Sequence, residues 1–212
     1  MDLDEMRRTY GLGELLEGDV DPDPIVQFRH WLEDAAGAGI AEPNAMVVAT
    51  ADAHGRPSAR TVLLKGLDER GFVFYTNTGS RKGDELAANP ACALVFPWHA
   101  MERQVRVEGV AEAVPRDEVA AYFAGRPRDS QLGAWASEQS RPVGSRAELD
   151  ARYASYADRW PEGTAIEVPP FWGGYRVRPE TVELWQGRVG RLHDRLRYRR
   201  TGDGWTLERL QP

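Results

Sequence analysis

The chain alternates short apolar runs with polar stretches punctuated by glycine, and most of the runs have the two-residue period of β-strands. Residues 45–51, Ala-Met-Val-Val-Ala-Thr-Ala, read as a buried strand, and Asp52-Ala53-His54-Gly55 as the turn into a second strand over 58–65. Runs at 60–65 and 72–77 flank Gly66, Asp68 and Gly71, which predicts a hairpin. A buried-type strand follows at 91–96. Over 104–113 the alternation is clean: Val105, Val107, Ala111 and Ala113 face one way, Gln104, Arg106, Glu108 and Glu112 the other. The last third reads as four strands, 173–177, 182–186, 195–200 and 205–210, with turns at Arg178-Pro179, 187–190 and 202–204.

Helical spacing fills the gaps. Asp23 caps a first helix with Pro24 at its first position, and Ile25, Phe28, Leu32 and Ala35 line one face until Gly37 and Gly39. Ser80 caps a helix to about Ala88, and 116–124 forms another with Val119, Ala120 and Phe123 inward. Asp129 or Ser130 caps a further helix through Leu132 and Trp135. Ser145 and Glu148 form a capping box ahead of Leu149, Tyr153, Tyr156 and Trp160, a stripe expected in the core. Residues 1–20 have little apolar periodicity and read as a mobile arm, and no linker or repeat divides 21–212, which reads as a single domain. The pattern is α+β with an antiparallel sheet.

At 212 residues, a single domain buries about 70% of its unfolded surface. Lys plus Arg is 27 against 33 Asp plus Glu, a net charge of −6, so the molecule as a whole repels nucleic acid and anionic membrane. Basic clusters therefore need local reasons. The one cysteine, Cys92, excludes an internal disulfide and a cysteine-built zinc site. An acidic N-terminus and no apolar run near the ~20 residues of a membrane span complete the expectation of a cytoplasmic protein. Four scattered histidines, no phosphate-loop lysine motif and no dinucleotide glycine fingerprint argue against a metal centre or a nicotinamide fold.

Two helix starts carry the candidate chemistry. Arg81 and Lys82 occupy the first two positions after Ser80, facing the positive end of the helix dipole at a cost of roughly 0.3–1 kcal/mol unless an anion intervenes. Either they are solvated surface cations or they bind a phosphate. Gly125-Arg126-Pro127-Arg128-Asp129-Ser130 crowds a second start with arginines. Trp185 sits on a polar strand face, where it is available to cover an aromatic ring, and Gln104 is either solvated or a ligand contact. If Arg191 already belongs to the next strand, Arg191, His193, Arg195, Arg197 and Arg199 share one face. Arg197 and Arg199 read as a solvated edge, with the other three open. Two phosphate pockets in one site imply a phosphorylated cofactor beside a phosphorylated substrate.

The motifs R-T-V-L-L-K at 60–65, F-Y-T-N at 74–77, S-R-K at 80–82, F-P-W-H and R-Q-V-R-V-E-G within 96–109, and Y-F-A-G-R-P-R-D-S-Q-L-G-A-W at 122–135 resemble those of the pyridoxamine 5′-phosphate oxidases. So do Q-S at 139–140, F-W-G-G-Y-R-V at 171–177, and W-Q-G then R-L-H-D-R within 185–195. The likeness runs in order from about Asp21 to the C-terminus. It implies an FMN-binding antiparallel split β-barrel with peripheral helices, a homodimer with both sites at the subunit interface. By this resemblance, Arg60, Thr61, Val62, Leu63, Leu64, Lys65, Tyr75, Thr76, Arg81, Lys82, Gln104, Gln139, Ser140, Trp185 and Arg195 hold FMN. Lys65, Tyr122, Arg126, Ser130, Arg191, Leu192 and His193 hold pyridoxine or pyridoxamine 5′-phosphate, with Arg7, Arg8, Thr9 and Tyr10 as a lid. Arg191 and His193 are the implied catalytic pair, the reaction being oxidation at C4′ to pyridoxal 5′-phosphate with O₂ as acceptor.

Strict alternation puts Arg60 and Lys65 on opposite strand faces, so one site for both requires a bulge, a strong twist or main-chain contacts. Arg141 replaces a small polar residue common in relatives; it either adds a cation at the FMN phosphate or points to solvent. Rival readings are a split-barrel flavin oxidase of secondary metabolism acting on a phenazine precursor, a non-catalytic flavin or pyridoxal phosphate carrier, and an RNA-binding protein using the cationic strand. The Lys65, Tyr122, Arg126 and Ser130 set argues against the first, and the acidic net charge against the last.

Overall fold

A computed structural model describes residues 9–212 together with Leu3, Glu5 and Met6; Arg7 and Arg8 of the expected lid lie outside the described residues. The first helix, α1 (Pro24–Gly37), starts where the sequence predicts, with the Asp23 carboxylate accepting from the Ile25 amide. Phe28 on its inner face is wholly buried against Phe72 and Phe96, ring centroids 4.9 and 4.6 Å away.

Among the described residues nine strands make one antiparallel sheet: β1 (Ala45–Ala51), β2 (Pro57–Leu63), β3 (Gly66–Asp68), β4 (Gly71–Asn77), β5 (Ala91–Trp98), β6 (Arg103–Ala113), β7 (Trp172–Gln186), β8 (Asp194–Thr201) and β9 (Gly204–Arg209). The order is β2-β1-β5-β6-β7-β4-β3, with β8 on β7 and β9 on β8. The two ends of that path, β2 and β3, are joined by Leu64 and Lys65 alone. Three Cα steps span at most about 11 Å, so the sheet must roll until its edges meet. The result is a barrel split along the β2–β3 seam, and Leu64, Phe74, Leu94, Val107 and Leu184 fill its interior.

The predicted hairpin of 60–65 with 72–77 does not form. β2 instead pairs with β1 through the Asp52–Gly55 turn, and only the short β3 pairs with β4. The cause is the seam: the chain must leave one edge at Leu63 and join the other at Gly66. The Arg178-Pro179 turn is also absent. There β7 stays continuous through a register shift, Glu108 pairing with Thr181 and Gly109 with Pro179, so the proline sits at a bulge that costs no ladder bond.

Helices α2 (Arg81–Ala88), α3 (Arg116–Ala124), α4 (Arg128–Ala136) and α5 (Arg146–Arg159) lie outside the barrel. A second core forms beneath α3–α5, where Val73 and Trp172 of the sheet meet Phe123, Leu132, Trp160 and Ile166. From the N-terminal arm, Leu15 is buried in the main core, its amide donating to Asp194.

Candidate functional site

The seam opens onto a cavity of about 640 Å³. Arg60, Thr61, Val62 and Leu63 of β2 form one wall, with Lys65 just past the strand, and Tyr75 and Thr76 of β4 form the other. Because β2 ends at Leu63, the chain breaks its alternation at Leu64 and Lys65, and the Lys65 amide donates instead to Val73 O at 2.8 Å. That interruption lets Arg60 and Lys65 line one cavity. It sends the Leu64 side chain into the core.

Lys82 enters from the first turn of α2 and is buried, with Nζ 2.7 Å from Gln139 Oε1, 3.0 Å from Thr76 Oγ1 and 3.2 Å from Ser80 Oγ. Burial first, then the charge of Arg60, lowers its pKa to about 8. Ser80 takes the predicted N-cap position, but its hydroxyl makes no capping bond and donates to Asn77 O instead. Arg81 is mostly exposed, does not line the cavity, and pairs with Glu85 at 2.8 Å. Glu85 is the buried counterweight of this helix start, accepting from Thr50 Oγ1, Ser58 Oγ and Arg60 as well. Burial pushes its carboxyl up, but the Ser58, Thr50, Arg81 and Arg60 bonds outweigh this and hold it near 2. Arg141 turns to the α2 side, donating to Gly79 O and to Asp84 at 2.7 Å.

At the other end of the cavity stand Tyr122 of α3, Arg126, Pro127 and Ser130. Tyr75 and Tyr122 stack with ring centroids 3.7 Å apart. Arg126 lies over the Trp172 ring at 4.1 Å, and its buried Nη1, like Trp172 Nε1, has no hydrogen-bond partner among the described residues. The N-cap falls two residues before Asp129 and three before Ser130, the two predicted caps. Pro127, with φ fixed near −52°, takes the N-cap position and brings Ser130 into the first turn, while Asp129 is drawn off by the Tyr153 hydroxyl.

The remaining candidates gather elsewhere. Gln104, Trp185 and Arg195 stand in register across β6, β7 and β8, on the face opposite Val105, Leu184 and Leu196. Arg195 makes a bidentate pair with Glu183 at 2.8 and 3.1 Å. Arg191 and His193 are not in the strand as the five-residue row supposed, since β8 starts at Asp194. Arg191 instead sits in a tight turn at φ 63°, Leu192 is exposed, and His193 Nδ1 accepts from the Arg188 amide. Arg197 and Arg199 share Glu208 of β9. Tyr10 packs edge-on against Trp185 and His193 at 5.8 and 5.5 Å, and Thr9 beside it is exposed.

Gln104 and Trp185 border a recess of about 270 Å³ that is separate from the seam cavity. Trp172 and Trp185 mark opposite ends of β7, roughly 40 Å apart along the strand at about 3.3 Å per residue.

A family profile described as pyridoxamine 5′-phosphate oxidase matches residues 32–158, and one described as the pyridoxine 5′-phosphate oxidase C-terminal dimerisation region matches 172–212. The chain belongs to the pyridoxamine 5′-phosphate oxidase family. A pyridoxine/pyridoxamine 5′-phosphate oxidase of Rubrobacter xylanophilus is 62% identical over 211 residues, covering 100% of this chain and 97% of that protein. One from Ralstonia pickettii is 56% identical over 98% of each. Among solved structures, PhzG of Burkholderia lata 383, in complex with tetrahydrophenazine-1-carboxylic acid, superposes with a TM-score of 0.88 at 33% identity over 95% of this chain and 100% of that one. A pyridoxamine 5′-phosphate oxidase-related, FMN binding protein of Nostoc punctiforme shares the fold at TM-score 0.71 and 18% identity, over 87% of this chain and 97% of that one.

In this oxidase-family chain sequence reasoning did not single out Trp172, which lines the seam cavity, or Glu85, which holds Arg60 from behind it. Glu85 was legible as the i+4 partner of Arg81. Trp172, inside the quoted F-W-G-G-Y-R-V motif, carried no signal for its contact with Arg126.

Proposed function

We propose that this protein is an FMN-dependent oxidase that converts pyridoxine or pyridoxamine 5′-phosphate to pyridoxal 5′-phosphate. One observation carries the reading: a single cavity holds two cationic side chains, Lys82 buried and Arg126 half-buried with its Nη1 shut off from solvent, and neither has a carboxylate within salt-bridge distance among the described residues. Buried charges of this kind call for anions. Lys82, with Arg60, Thr76, Gln139 and Ser140 around it, suits the phosphate of FMN, and the residue 61–63 backbone suits the polar edge of its ring. Lys65, Tyr122, Arg126 and Ser130 suit the phosphate of the substrate, converting binding energy remote from C4′ into alignment of that carbon. The orphaned Arg126 Nη1 fits this assignment.

Bound FMN supplies the redox chemistry, taking two electrons and passing them to O₂, so that the alcohol and O₂ give pyridoxal 5′-phosphate and H₂O₂, and the amine, with water, gives NH₃ besides. The protein binds, orients and moves protons. Gln104, Trp185, Arg191, Leu192, His193 and Arg195 lie too far along β7 to reach the same ligand in one chain. A two-fold dimer bringing this end of one protomer onto the seam cavity of the other completes the site, in keeping with the dimerisation region matched at 172–212. There Arg191 and His193 hold the reacting edge of the pyridine, and His193, its Nδ1 accepting from the Arg188 amide, turns Nε2 to the ligand. Among the described residues no helix is long and apolar enough to cross a membrane. The buried, free Cys92 thiol is in keeping with a reducing, cytoplasmic setting.

The likeness to PhzG offers a second reading, oxidation of an unphosphorylated ring, which the Lys65, Tyr122, Arg126 and Ser130 group disfavours. Oxygen uptake by FMN-loaded protein separates the two. Pyridoxine 5′-phosphate is expected to drive it and unphosphorylated pyridoxine to fail at equal concentration. Equal rates with both would contradict the proposal.

A further inference from the structure

The N-terminal arm reaches Trp185 and His193 through one side chain whose support comes from an unexpected place. Glu102 follows the short turn after β5 and holds a left-handed backbone, φ 54° and ψ 34°. One of its carboxylate oxygens, Oε2, accepts from two successive arm amides, Gly11 at 2.7 Å and Leu12 at 2.9 Å. Its main-chain oxygen accepts from the Gly187 amide at 2.7 Å. Gly187 in turn has no room for a side chain: a Cβ there would stand 2.8 Å from the Tyr10 ring and 3.1 Å from Glu102 Cβ. One residue therefore joins the arm, the turn after β7 and the recess bordered by Gln104 and Trp185.

We propose that Glu102 is a positioning residue: its carboxylate fixes the arm at Gly11 and Leu12 so that Tyr10 closes over the Trp185–His193 edge of the site. Two charge-assisted bonds converging on one oxygen, directly after Tyr10, leave that ring little freedom to swing away. The arm's other anchors lie further on, where Arg188 donates to Gly13 O and pairs with Glu14, and Leu15 bonds Asp194 and Arg209. They hold the chain without setting the direction of Tyr10. The consequence for substrate rests on the function proposed above; the docking itself does not.

The test uses the full chain, with Glu102→Gly as the deletion because glycine adopts φ 54° without strain, and Glu102→Gln as the conservative partner. Both variants are first checked for wild-type thermal melting. In Glu102→Gly, hydrogen exchange at the Gly11 and Leu12 amides is expected to accelerate by about tenfold or more, while Leu15 stays protected. Glu102→Gln retains an oxygen able to accept both bonds and is expected to keep most of the protection. With FMN-loaded enzyme, Glu102→Gly should raise KM for pyridoxine 5′-phosphate by about tenfold and change kcat less. In a Tyr10→Ala background the same substitution should add nothing. Unchanged exchange at Gly11 and Leu12 overturns the docking role. A KM effect that persists without the Tyr10 ring overturns the action through Tyr10. If wild-type protein oxidises neither vitamer, the functional reading fails and the exchange data still decide the docking.

Discussion

The ammonium nitrogen of Lys82 stands 2.7 Å from Oε1 of Gln139, tying the first turn of α2 to the loop that carries Ser140 in a left-handed backbone, φ 70°. The three oxygens around the ammonium, those of Thr76, Ser80 and Gln139, are all neutral and leave its charge unbalanced. If this charge serves a phosphate, Lys82→Met should weaken FMN binding by about 10–100-fold, the loss of one or two charge-assisted bonds. Melting of the FMN-free protein should change little, because a costly buried charge leaves with its hydrogen bonds. Quenching of FMN fluorescence on titration reads the first, thermal denaturation the second.

The same lysine sets a pH dependence. Its pKa is lowered from 10.5 to about 8, so FMN-free folded protein binds fewer protons than unfolded protein between about pH 8 and 10.5, and this group's cost to folding diminishes across that window as pH rises. Phosphate binding runs the other way, since it needs the protonated form. FMN affinity is expected to fall above pH 8, by about tenfold one unit higher, where about a tenth of Lys82 remains charged. Lys82→Met should show a flat profile over the same range.

Glu85 holds Arg60 and Arg81 from inside the protein. Glu85→Ala leaves Arg60, Thr50 and Ser58 without their shared acceptor. The expected loss is about 2–3 kcal/mol, less than for a fully buried pair because Arg60 keeps some exposure, and a fall in Tm of about 4–12 °C. The carboxyl is depressed from 4.5 to about 2, so its contribution is full above pH 4.5 and lost as pH drops toward 2. Over that acid range the melting temperature of Glu85→Ala should decline less steeply than that of wild type.

Two arginines at the two ends of β7 should separate kinetically. Arg126→Met is expected to raise KM for pyridoxine 5′-phosphate by about 10–100-fold while FMN stays bound, a buried charge-assisted contact being lost. Arg191→Met should lower kcat far more than it weakens FMN binding. Equal loss of both would reassign Arg191 to the cofactor.

Much of this was legible along the chain, and what escaped has a physical cause. The bounds of β1 and the starts of α1 and α2 follow from local signals: Asp23 with Pro24, the apolar run at 45–51, and Ser80 ahead of Arg81. Strand pairing is not local. The alternation of 60–65 and 72–77 around Gly66 and Gly71 suits a hairpin equally well, and only closure of the barrel gives β2 to β1 and leaves three residues of β3 for β4. The basic helix starts stood out as sequence anomalies, yet Arg81 is largely answered by Glu85, whereas Lys82 and Arg126 are not answered by any carboxylate contact. Burial, which separates these cases, does not appear in a charge pattern. The separation of the candidate residues to the two ends of β7 follows from the long-range pairing of the sheet, which no local pattern carries.

The central claim, that the seam cavity of one protomer and the Arg191–His193 turn of another form one site, is tested most directly by mixing two impaired variants and assaying them at substrate well below the KM of Arg126→Met. Arg126→Met disables the cavity and Arg191→Met the turn. A hybrid dimer of the two carries both lesions in one site and neither in the other. Unfolding and refolding a mixture of the variants, then measuring oxygen uptake with pyridoxine 5′-phosphate, is expected to recover activity well above either variant refolded alone. A mixture no more active than its components, with hybrid dimers present, would contradict the shared site.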